Sequence, residues 1–267
     1  MRKGLVLVLL LFLAVIVTYF IFGKSATYSF VLPKNDLKSN IDYILANSQG
    51  QYGIYIKNLK TGETFTRQEL TEFESGSLYK VQLMATTFEQ IKEGKIKEND
   101  PLSADVASLN KQFGISKEDA ELTKGVLNFS MLSAIEQMIT ISHNYAALAL
   151  ANKVGQKNIL NKTSALDFSI FLERLYKGEV VSLEYSQKML DILSRQKVND
   201  RIPKYLPKGT KVAHKTADIG FFEHDAGLVF SNGGDFIIVV LTETKNPPTA
   251  SDNIGRIAEV TYKYFNK

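Results

Sequence analysis

Ser77 and Lys80 stand three positions apart in the stretch FESGSLYKVQLMATTFEQI, where an amphipathic helical pattern begins. Three residues is a little under one helical turn, so the two side chains share a face and lie within reach of each other. A serine hydroxyl is a weak nucleophile until a neighbour takes its proton, and a lysine does so when desolvation or nearby cations lower its pKa. The same residues also fit an ordinary helix: serine is a favoured N-cap, and Val81, Met84, Phe88 and Ile91 form an apolar stripe. Because the spacing recurs at Ser108 and Lys111 and at Ser194 and Lys197, the surrounding elements must decide.

Two further polar groups stand downstream. ITISHNYAALAL puts Ser142, His143 and Asn144 just before a helical run, and VAHKTADIG puts Lys215 and Thr216 on a strand-like stretch. A lysine and a hydroxyl on an edge strand suit a carboxylate-bearing substrate laid antiparallel to that strand. Ser142 is of a type to pass a proton to a leaving nitrogen, and Asn144 to orient an acyl side chain. A helix starting at Ser77 would aim backbone N–H groups at an anion such as a tetrahedral oxyanion.

The elements that must position these residues follow from periodicity. QYGIYIKNLKTGETFTRQ alternates on both sides of the turn LKTGE and predicts a hairpin. From Ser77 to about residue 200 the helical period dominates, in MLSAIEQMIT, NYAALALANKV, FSIFLERLYKG and SLEYSQKMLDILSRQ, with Ser182 as a cap. The period returns to two in TKVAHKTAD, FFEHDAGLVFS and DFIIVVLTET, with SNGGD as a turn, before the amphipathic helix SDNIGRIAEVTYKYF. This order predicts an α+β fold: a five-stranded antiparallel sheet flanked by helices, with an inserted all-helical subdomain. Residues 42–75 and 205–267 make the α/β part and 76–204 the helical part, with a ligand-binding cleft between them.

Ahead of that domain, residues 27–41 read as a polar connector, and residues 4–23 are uncharged and mostly Leu, Val, Ile and Phe. A helix of that length covers about 30 Å, the hydrocarbon core of a bilayer. Residues 1–26 are therefore expected to be an uncleaved membrane anchor with Arg2 and Lys3 on the cytoplasmic side, or alternatively a cleaved signal segment. Either places the domain on the extracytoplasmic face of the plasma membrane, or secretes it.

The 267 residues are 45% apolar and 22% charged, ordinary globular composition. A net charge of +4 spread over scattered lysines gives no nucleic-acid-binding stripe. The absence of cysteine excludes disulfides, thiolate zinc sites and a cysteine nucleophile. His143, His214 and His224 show no ligand spacing, so neither metal nor cofactor is expected. Phe221 and Phe222 read as core-packing rather than cleft-lining residues, and Tyr79 as packing rather than chemistry.

Ser-x-x-Lys, then Ser142-His143-Asn144, then Lys215-Thr216-Ala217, in that order, resembles the penicillin-recognising serine hydrolases, most closely the class A β-lactamases. The resemblance runs over about residues 50–265 and includes GIYIKNLKTGETF, DRIPKYLPKGTKVAHKT and HDAGLVF. It implies Ser77 as nucleophile, Lys80 and Ser142 as its catalytic partners, and Asn144, Lys215 and Thr216 as substrate-binding residues. It also implies an oxyanion hole from the N–H groups of Ser77 and Asp218. Two decoys stand out of order: a literal KTG at Lys60–Gly62 on the hairpin turn, and a literal SDN at Ser251–Asn253, expected at the cap of the last helix.

Four departures stand against the resemblance. Class A enzymes hydrolyse their acyl-enzyme with a glutamate on a long loop between the second and third motifs. Here that interval is too short, the glutamate position holds Lys157, and Glu173 and Glu179 belong to a later helix and turn. Ala217 replaces a glycine, His143 replaces an aspartate, and the Asp218 carboxylate would oppose an oxyanion if it faced the site. The expectation is a monomeric serine hydrolase acylated at Ser77 by a β-lactam or peptidoglycan-type peptide, with weak or slow hydrolysis. The alternatives are a non-hydrolytic cell-wall-peptide-binding module and a D-Ala-D-Ala peptidase-like enzyme.

Overall fold

The computed structural model describes residues 36–155 and 162–267, so the apolar segment 1–26, connector residues 27–35 and Lys157 lie outside the described residues. Asp36 caps the first helix, α1 (Leu37–Leu45), its carboxylate accepting from Ser39 N at 3.0 Å. The polar connector expected over 27–41 therefore ends earlier than its composition suggests. Leu37, Ile41, Ile44 and Leu45 recur at helical spacing on the buried face, but the polar run NDLKSN masks a pattern only nine residues long.

β1 (Gln51–Asn58) turns through Lys60–Gly62 into β2 (Thr64–Arg67), and after the short β3 (Phe73–Glu74) a 3₁₀ turn, Gly76–Leu78, runs directly into α2 (Tyr79–Lys92). The insert continues as β4 (Pro101–Asp105), α3 (Val106–Phe113), β5 (Val126–Ser130), α4 (Met131–Thr140) and α5 (Asn144–Val154). It ends with β6 (Lys162–Thr163), α6 (Ala165–Tyr176) and α7 (Leu183–Ser194), Ser182 capping α7 as expected by accepting from Tyr185 N. A second 3₁₀ turn, Ile202–Tyr205, leads into β7 (Val212–Ile219), β8 (Phe222–Val229), β9 (Phe236–Glu243) and α8 (Pro247–Phe265).

The main sheet has the order β2-β1-β9-β8-β7, every neighbouring pair antiparallel. Its centre is β9, whose run FIIVVLT is buried throughout. Ile237, Val239 and Leu241 join the large core shared with the insert, while the intervening residues are equally buried against the other side, where α8 packs on β8 and β9. Gly227 on β8 pairs with His214, and a Cβ there would stand 2.4 Å from Ala213 O. The missing side chain lets β7, the strand carrying Lys215, approach β8 closely.

The insert is not all-helical: within it β4 pairs with β5, and its β6 pairs with β3 just ahead of it, as two small antiparallel ribbons. The β3–β6 ribbon is only two residues long on each strand and so has no readable period. The SDN decoy lies inside α8 rather than at its cap. Asn246 is the cap, with Pro247 and Pro248 at the first helical positions, where the missing N–H groups cost nothing. Among the described residues, no helix is long and apolar enough to cross a membrane.

Candidate active site

Ser77 does not cap α2. It sits in the middle of the 3₁₀ turn, no side chain caps either that turn or α2, and the turn packs against β7. Gly76 makes this possible. Its φ of +48 favours glycine, and a Cβ added to it would lie 3.0 Å from Ala217 Cβ. The methyl group of Ala217 thus occupies space that Gly76 leaves open.

From the other side, Ser142 projects out of the connection between α4 and α5 with φ +57, a left-handed backbone that serine rarely adopts. Lys80 Nζ holds it there, donating to the Ser142 carbonyl at 2.7 Å and to its hydroxyl at 3.1 Å. Lys215 Nζ, reaching from β7, donates to the same hydroxyl at 3.1 Å and to Thr216 O at 2.7 Å. Ser142 Oγ lies 3.0 Å from Ser77 Oγ. A lysine on α2, a lysine on β7 and the Ser77 hydroxyl therefore converge on a single oxygen.

Both lysines are completely buried. Burial pushes Lys80 down to about 8, against the opposing pull of the Glu121 carboxylate. Burial holds Lys215 well below the ordinary lysine range, helped by the positive charge of Lys80 and opposed by Asp225. Asn144, the first residue of α5, accepts from Lys80 Nζ at 2.6 Å through Oδ1 and donates through Nδ2 to Glu121. Sequence reasoning missed Glu121: it lies in the polar loop KEDAELTKG, where no periodicity marks one carboxylate above its neighbours.

Asp218 lines the same cleft as Ser77, but its mostly exposed carboxylate stands 3.8 Å from the guanidinium of Arg201. Arg201 is buried and bound to Glu223, so positive charge lies beside the Asp218 carboxylate. Burial raises the pKa of Glu223, with Arg201 opposing. The cleft, of about 860 Å³, is also lined by Tyr79, Phe221 and Phe222. Phe221 is 58% exposed, which corrects the expectation that it packs in the core, and Tyr79 both packs on the core and faces the cleft. The histidines are engaged otherwise: His143 Nδ1 caps α5, His214 Nδ1 meets Asp225 at 2.8 Å, and His224 Nε2 donates to Glu74 O.

The decoy hydroxyls are tied into their own helices, Ser108 to the Asp105 carboxylate and Ser194 to Asp191 O. Glu173 on α6 is ion-paired to Lys57 and Lys177. Residues 155–164 connect α5 to α6, with 156–161 outside the described residues.

A family model described as the beta-lactamase enzyme family matches residues 36–265. Among solved structures, PBP-A is similar at 24% identity and a TM-score of 0.74, over 86% of this chain and 95% of that one. A beta-lactamase from Sphaerobacter thermophilus is similar at 20% identity and a TM-score of 0.74, with the same coverage. A leucine-to-glutamate variant of PBP-A, described as an acyl-enzyme complex with penicillin G, is similar at 24% identity and a TM-score of 0.74, over 86% and 96% of the two chains. No curated protein sequence matches the chain.

Proposed function

The chain belongs to the beta-lactamase enzyme family, and from that membership we propose an exported serine hydrolase, acylated at Ser77 by β-lactams or a related donor such as a D-Ala-D-Ala peptide. The observation that carries this reading is the hydrogen-bonded path from Ser77 Oγ through Ser142 Oγ to two buried lysines. With both lysines charged, they fill both lone pairs of the Ser142 hydroxyl, whose proton then points at Ser77. Once Lys80 sheds a proton, the path reverses: Ser142 donates to Lys80, and Ser77 donates to Ser142 as it attacks the carbonyl carbon. The N–H groups of Ser77 and Asp218 stabilise the tetrahedral oxyanion. Ser142 then returns a proton to the leaving nitrogen, while Thr216 and Lys215 hold the substrate carboxylate and Asn144 the acyl amide. The penicillin G acyl-enzyme of the PBP-A variant supports β-lactams as donors.

The second half of the cycle is slow in this reading. The connection from α5 to α6 runs over residues 155–164, and the shortness of that interval supports the absence of a loop carrying a deacylating glutamate. Lys157 stands at that position in the sequence, and Glu173 is held by two lysines away from the cleft. Intact-mass spectrometry with benzylpenicillin is expected to give a persistent adduct of one intact drug molecule, mapped by peptide analysis to Ser77. An unmodified protein beside intact drug would instead favour a binding module, and drug consumed without an adduct would mean that a competent deacylating base exists.

Export and anchoring by residues 1–26 complete the proposal, on the strength of the uncharged run 4–23. In intact bacterial cells stripped of their outer layers, added protease is expected to degrade the domain while it remains in the membrane fraction. Recovery of a protected, soluble protein would overturn both parts.

A further inference from the structure

On the acylation reading above, the substrate's acyl amide docks on Asn144 Nδ2. One of the two N–H groups of that nitrogen already donates to the Glu121 carboxylate, and Asn144 cannot turn its amide over because Lys80 holds Oδ1 at 2.6 Å. An incoming acyl carbonyl takes the second N–H of Nδ2, which sets the Glu121 carboxylate beside the substrate's side chain. Among the described residues Glu121 forms no ion pair, and Lys80, on whose charge it acts, spends its hydrogen bonds on Ser142 and Asn144. Among the described residues no lysine or arginine lines the cleft, and Asp119, which lines it too, accepts from Ser116 Oγ at 2.7 Å.

We propose that Glu121 is a specificity-determining residue that selects acyl donors whose acyl side chain carries a cationic group. An ammonium there gives the Glu121 carboxylate a charge-assisted hydrogen bond. A neutral side chain leaves the carboxylate to water, and an anionic side chain meets a like charge. The inference rests on the acylation reading, and its test separates the two.

The full-length protein in detergent is mixed with three penicillins that share the bicyclic core and phenylacetyl frame and differ at the α-carbon: amino (ampicillin), hydrogen (benzylpenicillin) and carboxylate (carbenicillin). Acylation rates are read by intact mass. At low salt the amino compound is expected to outpace the carboxylate compound by about tenfold or more. In Glu121→Gln, and in the parent at high salt, that ratio is expected to contract toward one. Glu121→Asp keeps the charge and is expected to retain much of the preference. A parent without charge preference, or an unchanged ratio in Glu121→Gln, would overturn the proposal. Absence of an adduct from all three compounds would overturn the acylation reading and this inference with it.

Discussion

Lys80→Met is expected to slow acylation of Ser77 by about 10²- to 10⁴-fold. The same variant is expected to lose part of a rise in folding stability that the parent shows between about pH 8 and pH 10.5. Both effects come from one buried amine. In the proposed mechanism neutral Lys80 draws the Ser77 proton through Ser142, and methionine fills similar volume without accepting a proton. The stability effect follows from where the proton resides. Lys80 titrates near 10.5 in the unfolded chain and at about 8 in the folded one. Between those values the unfolded state holds a proton the folded state has released, so stability rises with pH, and below about 8 the folded protein bears the full cost of a buried charge. A shift of that size corresponds to about 3 kcal/mol by linkage. Lys215 is depressed in the same direction, so the slope in Lys80→Met is expected to shrink rather than vanish. Denaturant unfolding across this pH range, alongside acylation rates by mass, measures both. If Lys80→Met is acylated at the parent's rate, Lys80 is not the base, and Lys215 becomes the candidate.

Much of this arrangement is legible in the sequence, because the residues that converge lie on elements with strong periods. α4, α5 and α7 fall within the runs that helical spacing marks and β8 and β9 within the alternating ones, while α6 begins three residues before its run and β7 ends one residue past its own. Motif order separated Ser77 from Ser108 and Ser194, whose identical spacing to a lysine leads to hydroxyls tied into their own helices. What the sequence hides is whatever depends on approach between distant segments. That Ala217 fits because Gly76 lacks a side chain is a fact about a 3₁₀ turn meeting a strand some 140 positions later. That Glu121 reaches Asn144 depends on how a polar loop folds back over α5. The exposure of Phe221 similarly follows from the tight β7–β8 turn at Gly220, which carries an aromatic residue to the cleft rim instead of into the core.

Ser142 tests whether the proton moves through a relay or directly, and its backbone allows chemistry to be separated from strain. Ser142→Ala and Ser142→Gly both remove the hydroxyl that bridges Ser77 to the two lysines, so each is expected to slow acylation by about 10²- to 10³-fold. They should differ in stability. The left-handed φ of +57 penalises any residue with a Cβ, and alanine keeps that penalty while glycine removes it. Ser142→Gly is thus expected to be more stable than Ser142→Ala by about 1 kcal/mol, with equally poor acylation. The Ser142 carbonyl still accepts from Lys80 in both variants, which keeps the lysine in place and confines the comparison to the hydroxyl. Acylation of Ser142→Ala near the parent's rate would mean that Ser77 passes its proton straight to Lys80. Equal stability of the two variants would show instead that the left-handed turn costs serine nothing here. Slow acylation with unequal stability places the hydroxyl in the proton path and assigns the strain to the backbone that aims it.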